Sequence, residues 1–85
     1  MRYSVQIKKS ALKEIQSLPK AERIRVIESI DRLVDTPHIG KALKGDLSGL
    51  RRIRAGNYRV VYEINDNQLV ILVLRAAHRK DSYRK

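Results

Sequence analysis

The longest apolar run in the chain, "LVILVLR" at residues 69–75, most constrains the fold. Its apolar stretch is far shorter than the roughly 18–20 residues that a membrane helix needs. Side chains alternate between the two faces of a strand, and this run is apolar at odd and even positions alike. That pattern predicts a strand buried on both faces. We therefore expect residues 69–79 to form a central strand of a sheet.

Shorter patterns predict the remaining strands. "RYSVQIKK" near the start alternates apolar and polar residues, as a half-buried strand does. "LRRIRA" and "YRVVYEI" have the composition of strands, and the "GN" between them is a tight hairpin turn. "NDNQ" marks a second turn before the apolar run. The last three strands are thus predicted to form an antiparallel meander.

Two helices are predicted between the first strand and this meander. Ser10 is a candidate cap for a helix that ends near Leu18, and Pro19 separates it from a second helix over residues 20–35. Apolar residues at 24, 27, 30 and 34 have helical spacing and indicate the inward face of the second helix.

The stretch "DTPHIGKALKGDLSG" holds a proline and three glycines and is predicted to be a long irregular connection. The predicted order is β-α-α-β-β-β in a single domain of residues 1–85. We expect an α+β fold: a small, mainly antiparallel sheet with the helical hairpin packed on one face.

The chain is strongly basic. Nineteen Lys and Arg stand against nine Asp and Glu among 85 residues, a formal net charge of +10. Such a field favours a polyanionic partner, either nucleic acid or an acidic protein segment. The sequence contains no cysteine, which excludes disulfides and thiol catalysis. "MRYSVQIKKS" is polar and unlike a signal peptide, so we expect a cytoplasmic protein with no membrane association.

Strand alternation predicts where part of the positive charge lies. If the helices cover one face of the sheet, the opposite face can collect Arg52, Arg54, Arg59 and Arg79, with Tyr83 folded over them. The alternative is an ordinary solvated strand face. With two histidines, no cysteine and no HExxH spacing, we expect no metal and no other cofactor.

Two segments carry a resemblance to a known family. "LRRIRAGNYRVVYEI" and the terminal "HRKDSYR", in the order β-α-α-β-β-β, resemble the RelE toxins of the RelE/ParE superfamily over essentially the whole chain. The resemblance implies an endonuclease that enters the ribosome and cuts messenger RNA in the A site. It also implies a cognate antitoxin, which the charge predicts to be acidic, and a toxin–antitoxin hetero-oligomer.

The resemblance also implies the site. The catalytic candidates are Arg59, Arg79, Tyr83 and His78, and the RNA-binding candidates are Arg51, Arg52, Arg54 and Lys80. RNA supplies its own nucleophile, the 2′-hydroxyl, so no metal is required. Arg59 and Arg79 would stabilise the charge that develops on the scissile phosphate. Either Tyr83 or His78 would act as the base.

This sequence departs from the best-known family pattern by carrying Arg52 and Arg54 where that pattern has two lysines. Arginine is not a practical base at neutral pH. Two other functions remain: a ParE-like inhibitor of DNA gyrase, and a nucleic-acid-binding module without catalysis. A supercoiling assay identifies the first, and salt-dependent binding without RNA cleavage identifies the second.

Overall fold

A computed structural model describes residues 3–78, which form a five-stranded sheet with two helices. The strands are β1 (Ser4–Ile7), β2 (Lys41–Ala42), β3 (Leu50–Ala55), β4 (Tyr58–Asn65) and β5 (Val70–His78). The helices are α1 (Lys9–Gln16) and α2 (Lys20–Leu33), and two short 3₁₀ helices span Pro37–Ile39 and Gly45–Leu47.

The apolar strand lies inside the sheet, as predicted. The strand order is β1-β5-β4-β3-β2, with β1 parallel to β5 and every other neighbouring pair antiparallel. The turn at Gly56 and Asn57 closes the β3–β4 hairpin, and Gly56 has a φ of +64°, a conformation that glycine adopts readily. The predicted α+β class and mainly antiparallel sheet are confirmed.

The core lies between the helices and one face of the sheet. Its buried members come from both helices and from three strands: Ala11, Ile15, Val26, Ile30, Leu33, Ala55, Val60, Tyr62, Ile71, Val73 and Ala76. We call this sheet face the helix-side face and the opposite one the open face. Both helices therefore pack on one face of the sheet, as predicted.

The start of α1 differs from the prediction. Ser10 is not the cap, because α1 begins at Lys9 and the capping position is Lys8, whose side chain makes no capping hydrogen bond. The Lys8 amide donates to the carbonyl oxygen of Val73 at 2.9 Å, so pairing with β5 runs directly into the helix. This backbone bond sets the helix start without a serine.

The predicted inward face of α2 is only partly right. Ile30 is buried as expected, but Ile24 and Ile27 are 46% and 43% exposed, and the other buried residues are Val26 and Leu33. Both sets have helical spacing, but at about 100° per residue Ile24 points almost opposite to Val26. Spacing alone does not say which of two apolar stripes meets the sheet.

The connection predicted to be irregular contains β2, which pairs with β3 and makes a fifth strand. The buried Tyr62 hydroxyl anchors the segment, since it donates to the Pro37 carbonyl at 2.8 Å and accepts from the Gly40 amide at 2.9 Å. Burial raises the pKa of Tyr62, while the Gly40 amide and the charge of Arg51 oppose the rise. Tyr62 thus belongs to the core.

One irregularity decides which side chains of β5 reach the open face. Tyr62 pairs with Val73, but its neighbour Val61 pairs with Arg75, which leaves Leu74 as an extra residue. This β-bulge shifts the alternation by one position. Val73 and Ala76 both belong to the core, while Ala77 falls outside it.

Candidate nucleic-acid interface

Cationic residues line up in two rows across the open face. In the first row, Lys41 pairs with Arg52, Arg52 with Val61, and Val61 with Arg75. In the second, Arg54 pairs with Arg59, and Arg59 with Ala77. Paired positions lie about 5 Å apart, and neighbouring positions on one face of a strand about 7 Å apart. We call the five cations Lys41, Arg52, Arg54, Arg59 and Arg75 the basic face.

Arg54 and Arg59 place two like charges on directly paired positions of β3 and β4. Arg54 is exposed, whereas Arg59 is half-buried and its Nε and Nη1 atoms are inaccessible to solvent. Because solvent screens a half-buried charge less than an exposed one, the two guanidinium groups concentrate positive potential at this point of the open face. Such a field suits a bound anion.

Two apolar side chains occupy the positions between these cations on the open face. Val61 and Ala77 are each only 7% exposed, so neighbouring groups cover them. The basic side chains, rather than these two residues, are therefore what the open face offers to a ligand.

A pocket of about 400 Å³ adjoins the first row. Its lining includes Lys41, Lys44 and Arg52, together with Leu47 from the second 3₁₀ helix. Three cations around one concavity favour a phosphate-sized anion. The positive surface thus continues past the sheet edge.

The structure does not place Arg51 on the basic face. Arg51 pairs with Tyr62, a core residue, and its Nη1 donates to the carbonyl oxygens of Gly40 at 2.7 Å and His38 at 3.3 Å. These bonds attach the connection to the sheet. Arg51 therefore lies on the opposite face from Arg52 and stabilises the fold, while its contact with RNA stays an untested prediction.

His78 is likewise separated from Arg59. It pairs with Tyr58, and their rings meet edge to face with centroids 5.5 Å apart and an interplanar angle of 80°. Tyr58 packs against the core on the helix-side face. The alternation after the bulge therefore turns His78 away from the face that holds Arg54 and Arg59.

Three of the predicted site residues, Arg79, Lys80 and Tyr83, lie outside the described residues. Two cations that sequence reasoning left out of the site, Lys41 and Arg75, belong to the basic face. Lys41 was missed because β2 was not predicted. Arg75 sits at a position whose direction depends on the bulge.

A second polar group lies near the β4–β5 turn. The Tyr3 hydroxyl donates to Asp66 Oδ1, and His38 Nε2 lies 3.6 Å from the same oxygen. The hydrogen bond to Asp66 is the main cause that raises the pKa of Tyr3. The side chains of His38 and Asp66 are more than half exposed, and Tyr3 is partly exposed. Their contacts join surface segments and do not enclose a substrate.

No helix within residues 3–78 is long and apolar enough to cross a membrane. In the same range, no group of three or more His, Cys, Asp or Glu residues is arranged to hold a metal ion.

Comparison with known proteins agrees with this fold and charge. Residues 5–83 match the family described as the ParE toxin of type II toxin–antitoxin systems, parDE. The chain belongs to the RelE/ParE superfamily of type II toxins. The resemblance inferred from "LRRIRAGNYRVVYEI" and "HRKDSYR" is confirmed at this level.

Curated relatives point to the RelE branch of the superfamily. The chain is 38% identical over 84 residues to a toxin RelE of Mycobacterium tuberculosis, covering 96% of this chain and 87% of that relative. It is 32% identical over 87 residues to a toxin RelG of the same organism, with full coverage of both.

Solved structures show the same fold. The toxin–antitoxin complex RelBE2 from Mycobacterium tuberculosis matches with a TM-score of 0.85 at 31% identity, covering 93% of this chain and 100% of that one. The archaeal RelE–RelB complex from Pyrococcus horikoshii matches with a TM-score of 0.76 at 38% identity over the whole of both chains. The five-stranded sheet with two helices is thus the fold of this family of toxins.

Proposed function

We propose that the protein is a ribosome-dependent endoribonuclease that cuts messenger RNA in the A site. The observation that carries this proposal is the pairing of Arg54 with the half-buried Arg59 inside a row of further cations. That arrangement concentrates positive charge on one face of the sheet, and the RNA backbone is a polyanion that such a face binds. The RelE names of the relatives support the same activity.

In the proposed reaction, the 2′-hydroxyl of the RNA attacks the adjacent phosphorus. The 2′-oxygen loses its proton, the bond from phosphorus to the 5′-oxygen breaks, and that oxygen takes up a proton. The products are a 2′,3′-cyclic phosphate and a 5′-hydroxyl. Arg59 is assigned to the developing charge on the phosphate oxygens, because its fixed N–H groups need little reorganisation. Arg52 and Arg54 hold the neighbouring backbone.

The structure favours one of the two candidate bases for the proposed reaction. His78 and Tyr83 were equal candidates in the sequence, but His78 packs against Tyr58 on the helix-side face. We therefore assign the base to Tyr83, with Arg79 as the second cation at the phosphate. A surrounding positive field lowers the pKa of a tyrosine, which suits this role.

A site made of arginines offers strong charge stabilisation and a weakly poised base. Such a site depends on a substrate that is already bent for in-line attack. This is the physical reason to propose that the ribosome is required, since the ribosome aligns the message. Cleavage of unbound RNA at the same rate would contradict this part of the proposal.

The test maps 5′ ends by primer extension on ribosomes that hold a defined message and an empty A site. We expect a new end inside the A-site codon with the wild type. Arg59→Ala should lower the cleavage rate by about 10²–10³-fold, as the loss of one stabilising donor does. Lys13→Ala, which removes one charge from the exposed side of α1, is the control and should cut normally. Equal cutting by Arg59→Ala would remove Arg59 from the reaction.

The family match keeps a second candidate, inhibition of DNA gyrase, since the matched family is described as the ParE toxin. A gyrase supercoiling assay separates the two. Inhibited supercoiling with an intact message would establish the ParE-like function and refute the nuclease.

We also propose a cognate acidic antitoxin as partner, with which the toxin forms a hetero-oligomer in the cytoplasm. The net charge of +10 and the complexes of similar toxins with RelB support this. An acidic, partly disordered segment that folds on binding would neutralise the basic face. The antitoxin should therefore protect the message in the primer-extension assay.

A further inference from the structure

The bulge in β5 fixes one of two possible pairing registers between β4 and β5. Val61 pairs with Arg75, and Leu74 is the extra residue. In a regular register without a bulge, Val61 would pair with Leu74 and Val60 with Arg75. Arg75 would then point into the core, while Ala76 and His78 would reach the open face. The two registers differ in which residues join the basic face.

The apolar pattern of β5 does not exclude the second register. Leu72 and Leu74 are half-buried although neither belongs to the core, so this strand has apolar residues on both faces. The regular register would, however, bury the charged Arg75 side chain in the core, which favours the bulged register. A contact from outside the strand can stabilise the bulge further.

Glu14 of α1 makes that contact. Its Oε1 accepts a hydrogen bond from the Ala76 amide at 3.0 Å, and its Oε2 accepts one from Arg75 Nη2 at 3.0 Å. The Ala76 amide needs a partner because β1 pairs with β5 only as far as Val73. One carboxylate thus binds the backbone and the side chain of the two residues that follow the extra one.

Helix α1 places this carboxylate. Ala11 and Ile15 of α1 are buried in the core, and Glu14 lies next to Ile15 on the turn facing β5. The side chain of Glu14 is 30% exposed. Partial burial limits the screening of its bond to Arg75 by solvent.

We propose that Glu14 is the positioning residue of the basic face. It stabilises the bulge at Leu74, and the bulge places Arg75 and Ala77 at open-face positions while it keeps His78 on the helix-side face. Glu14 itself touches no substrate and acts through β5. The consequence for cleavage rests on the proposed function, whereas the effect on register does not.

The test combines NMR contacts with the cleavage assay. In the wild type, the Ala76 methyl should show an NOE to the Val60 methyls, because these residues pair on the helix-side face. Glu14→Ala should weaken or lose this NOE and lower cleavage by about 10²-fold, as a small misplacement of catalytic groups does. Glu14→Gln, which keeps an acceptor for the Ala76 amide, should retain the NOE. Glu28→Ala, which removes an exposed carboxylate of α2, is the matched control.

Deletion of Leu74 provides the rescue. Without the extra residue, regular alternation places Val73 inward and Arg75 outward with no need for Glu14. The double variant, Glu14→Ala with Leu74 deleted, should therefore regain the Val60–Ala76 NOE and the cleavage that Glu14→Ala loses. Because a purely structural loss in α1 would not be repaired in β5, this rescue identifies a positioning role. If Glu14→Ala does not fold, the double variant should fold.

Several results would overturn the proposal. Glu14→Ala that keeps the wild-type NOE would show that the register does not depend on Glu14, even if cleavage falls. A double variant that remains unfolded or inactive beside an active Leu74 deletion would do the same. If the wild type does not cut RNA, the proposed function fails, and the NOE of each variant still decides the role of Glu14.

Discussion

At the scale of single residues, Arg54 and Arg59 place two positive charges on directly paired positions of neighbouring strands. Arg59 is half-buried, so solvent screens its charge less than that of the exposed Arg54. A residue pair that breaks a local rule of sheet stability is expected where function requires it. Stability and RNA binding should therefore respond in opposite directions when Arg54 is replaced.

Arg54→Thr should raise the free energy of unfolding by about 0.2–1 kcal/mol at low ionic strength, because it removes the like-charge pair and adds a β-branched residue. The same change should weaken binding of single-stranded RNA. Urea denaturation and a filter-binding assay measure the two effects. Arg54→Lys keeps the charge and serves as the control. A loss of stability in Arg54→Thr would show that the pair does not strain the sheet.

Tyr62 acts at the same scale through its hydroxyl. Tyr62→Phe should lower the free energy of unfolding by about 1–3 kcal/mol, since it leaves the buried Pro37 carbonyl and Gly40 amide without their partner. Chemical denaturation measures the loss. Tyr58→Phe, in a half-buried tyrosine of the same sheet, is the control and should cost less.

The same variant has a predicted pH dependence. The folded pKa of Tyr62 is raised, so the protonated hydroxyl is favoured by folding. Its contribution is fully present below the unfolded value of about 10 and is lost as pH rises through the folded pKa. The stability difference between wild type and Tyr62→Phe should therefore stay constant at neutral pH and shrink as the pH rises above about 10. A constant difference would contradict the raised pKa.

At the scale of elements, the connection between α2 and β3 is held in place by contacts with the sheet, which its own sequence pattern does not reveal. Gly40 lies against the Tyr62 ring and the Arg52 carbonyl, so a Cβ at this position has no room. This packing explains why position 40 is a glycine although its φ of −72° is one that any residue can adopt. The prediction of an irregular connection failed here because its bonds reach residues far along the chain.

Gly40→Ala should therefore destabilise the protein by about 1–3 kcal/mol, the usual cost of overpacking. Gly45→Ala is the control with a different cause, because space is open around Gly45 and only its φ of +67° resists a side chain. Thermal and urea unfolding of both variants give the comparison. Gly40→Ala should also disturb the β2–β3 pairing, visible as faster amide exchange at Lys41 and Ala42. Unchanged exchange there would argue against the packing account.

At the scale of the whole molecule, the net charge of +10 sets affinity for polyanions, while the fold decides where they bind. Binding of single-stranded RNA should weaken with salt, and each cation that contacts phosphate contributes about 0.7 to the slope of log K against log salt. Arg52→Ala should lower the slope by about 0.7. Lys13→Ala has the same net charge as Arg52→Ala, but the charge is lost from α1, so the slope should stay nearly unchanged. Equal effects would mean that binding is diffuse.

Much of this architecture is local enough to read from the chain. The three final strands, the Gly56–Asn57 turn, the two helices and the superfamily follow from periodicity, turn chemistry and motif, because each depends on neighbouring residues. The gathering of Arg52, Arg54 and Arg59 on one face also follows, since strand alternation needs only the right strand boundaries.

Only the tertiary structure decided the rest. The buried stripe of α2 depends on how the helical hairpin meets the sheet, since Ile24 and Val26 fit the helical period equally well. The face of the sheet on which His78 lies depends on a bulge in a strand that is apolar on both faces. Strand β2 forms because the edge of β3 is available for pairing. In each case local periodicity alone fits two arrangements, and contacts between distant segments, such as Glu14 with Ala76, accompany the one that forms.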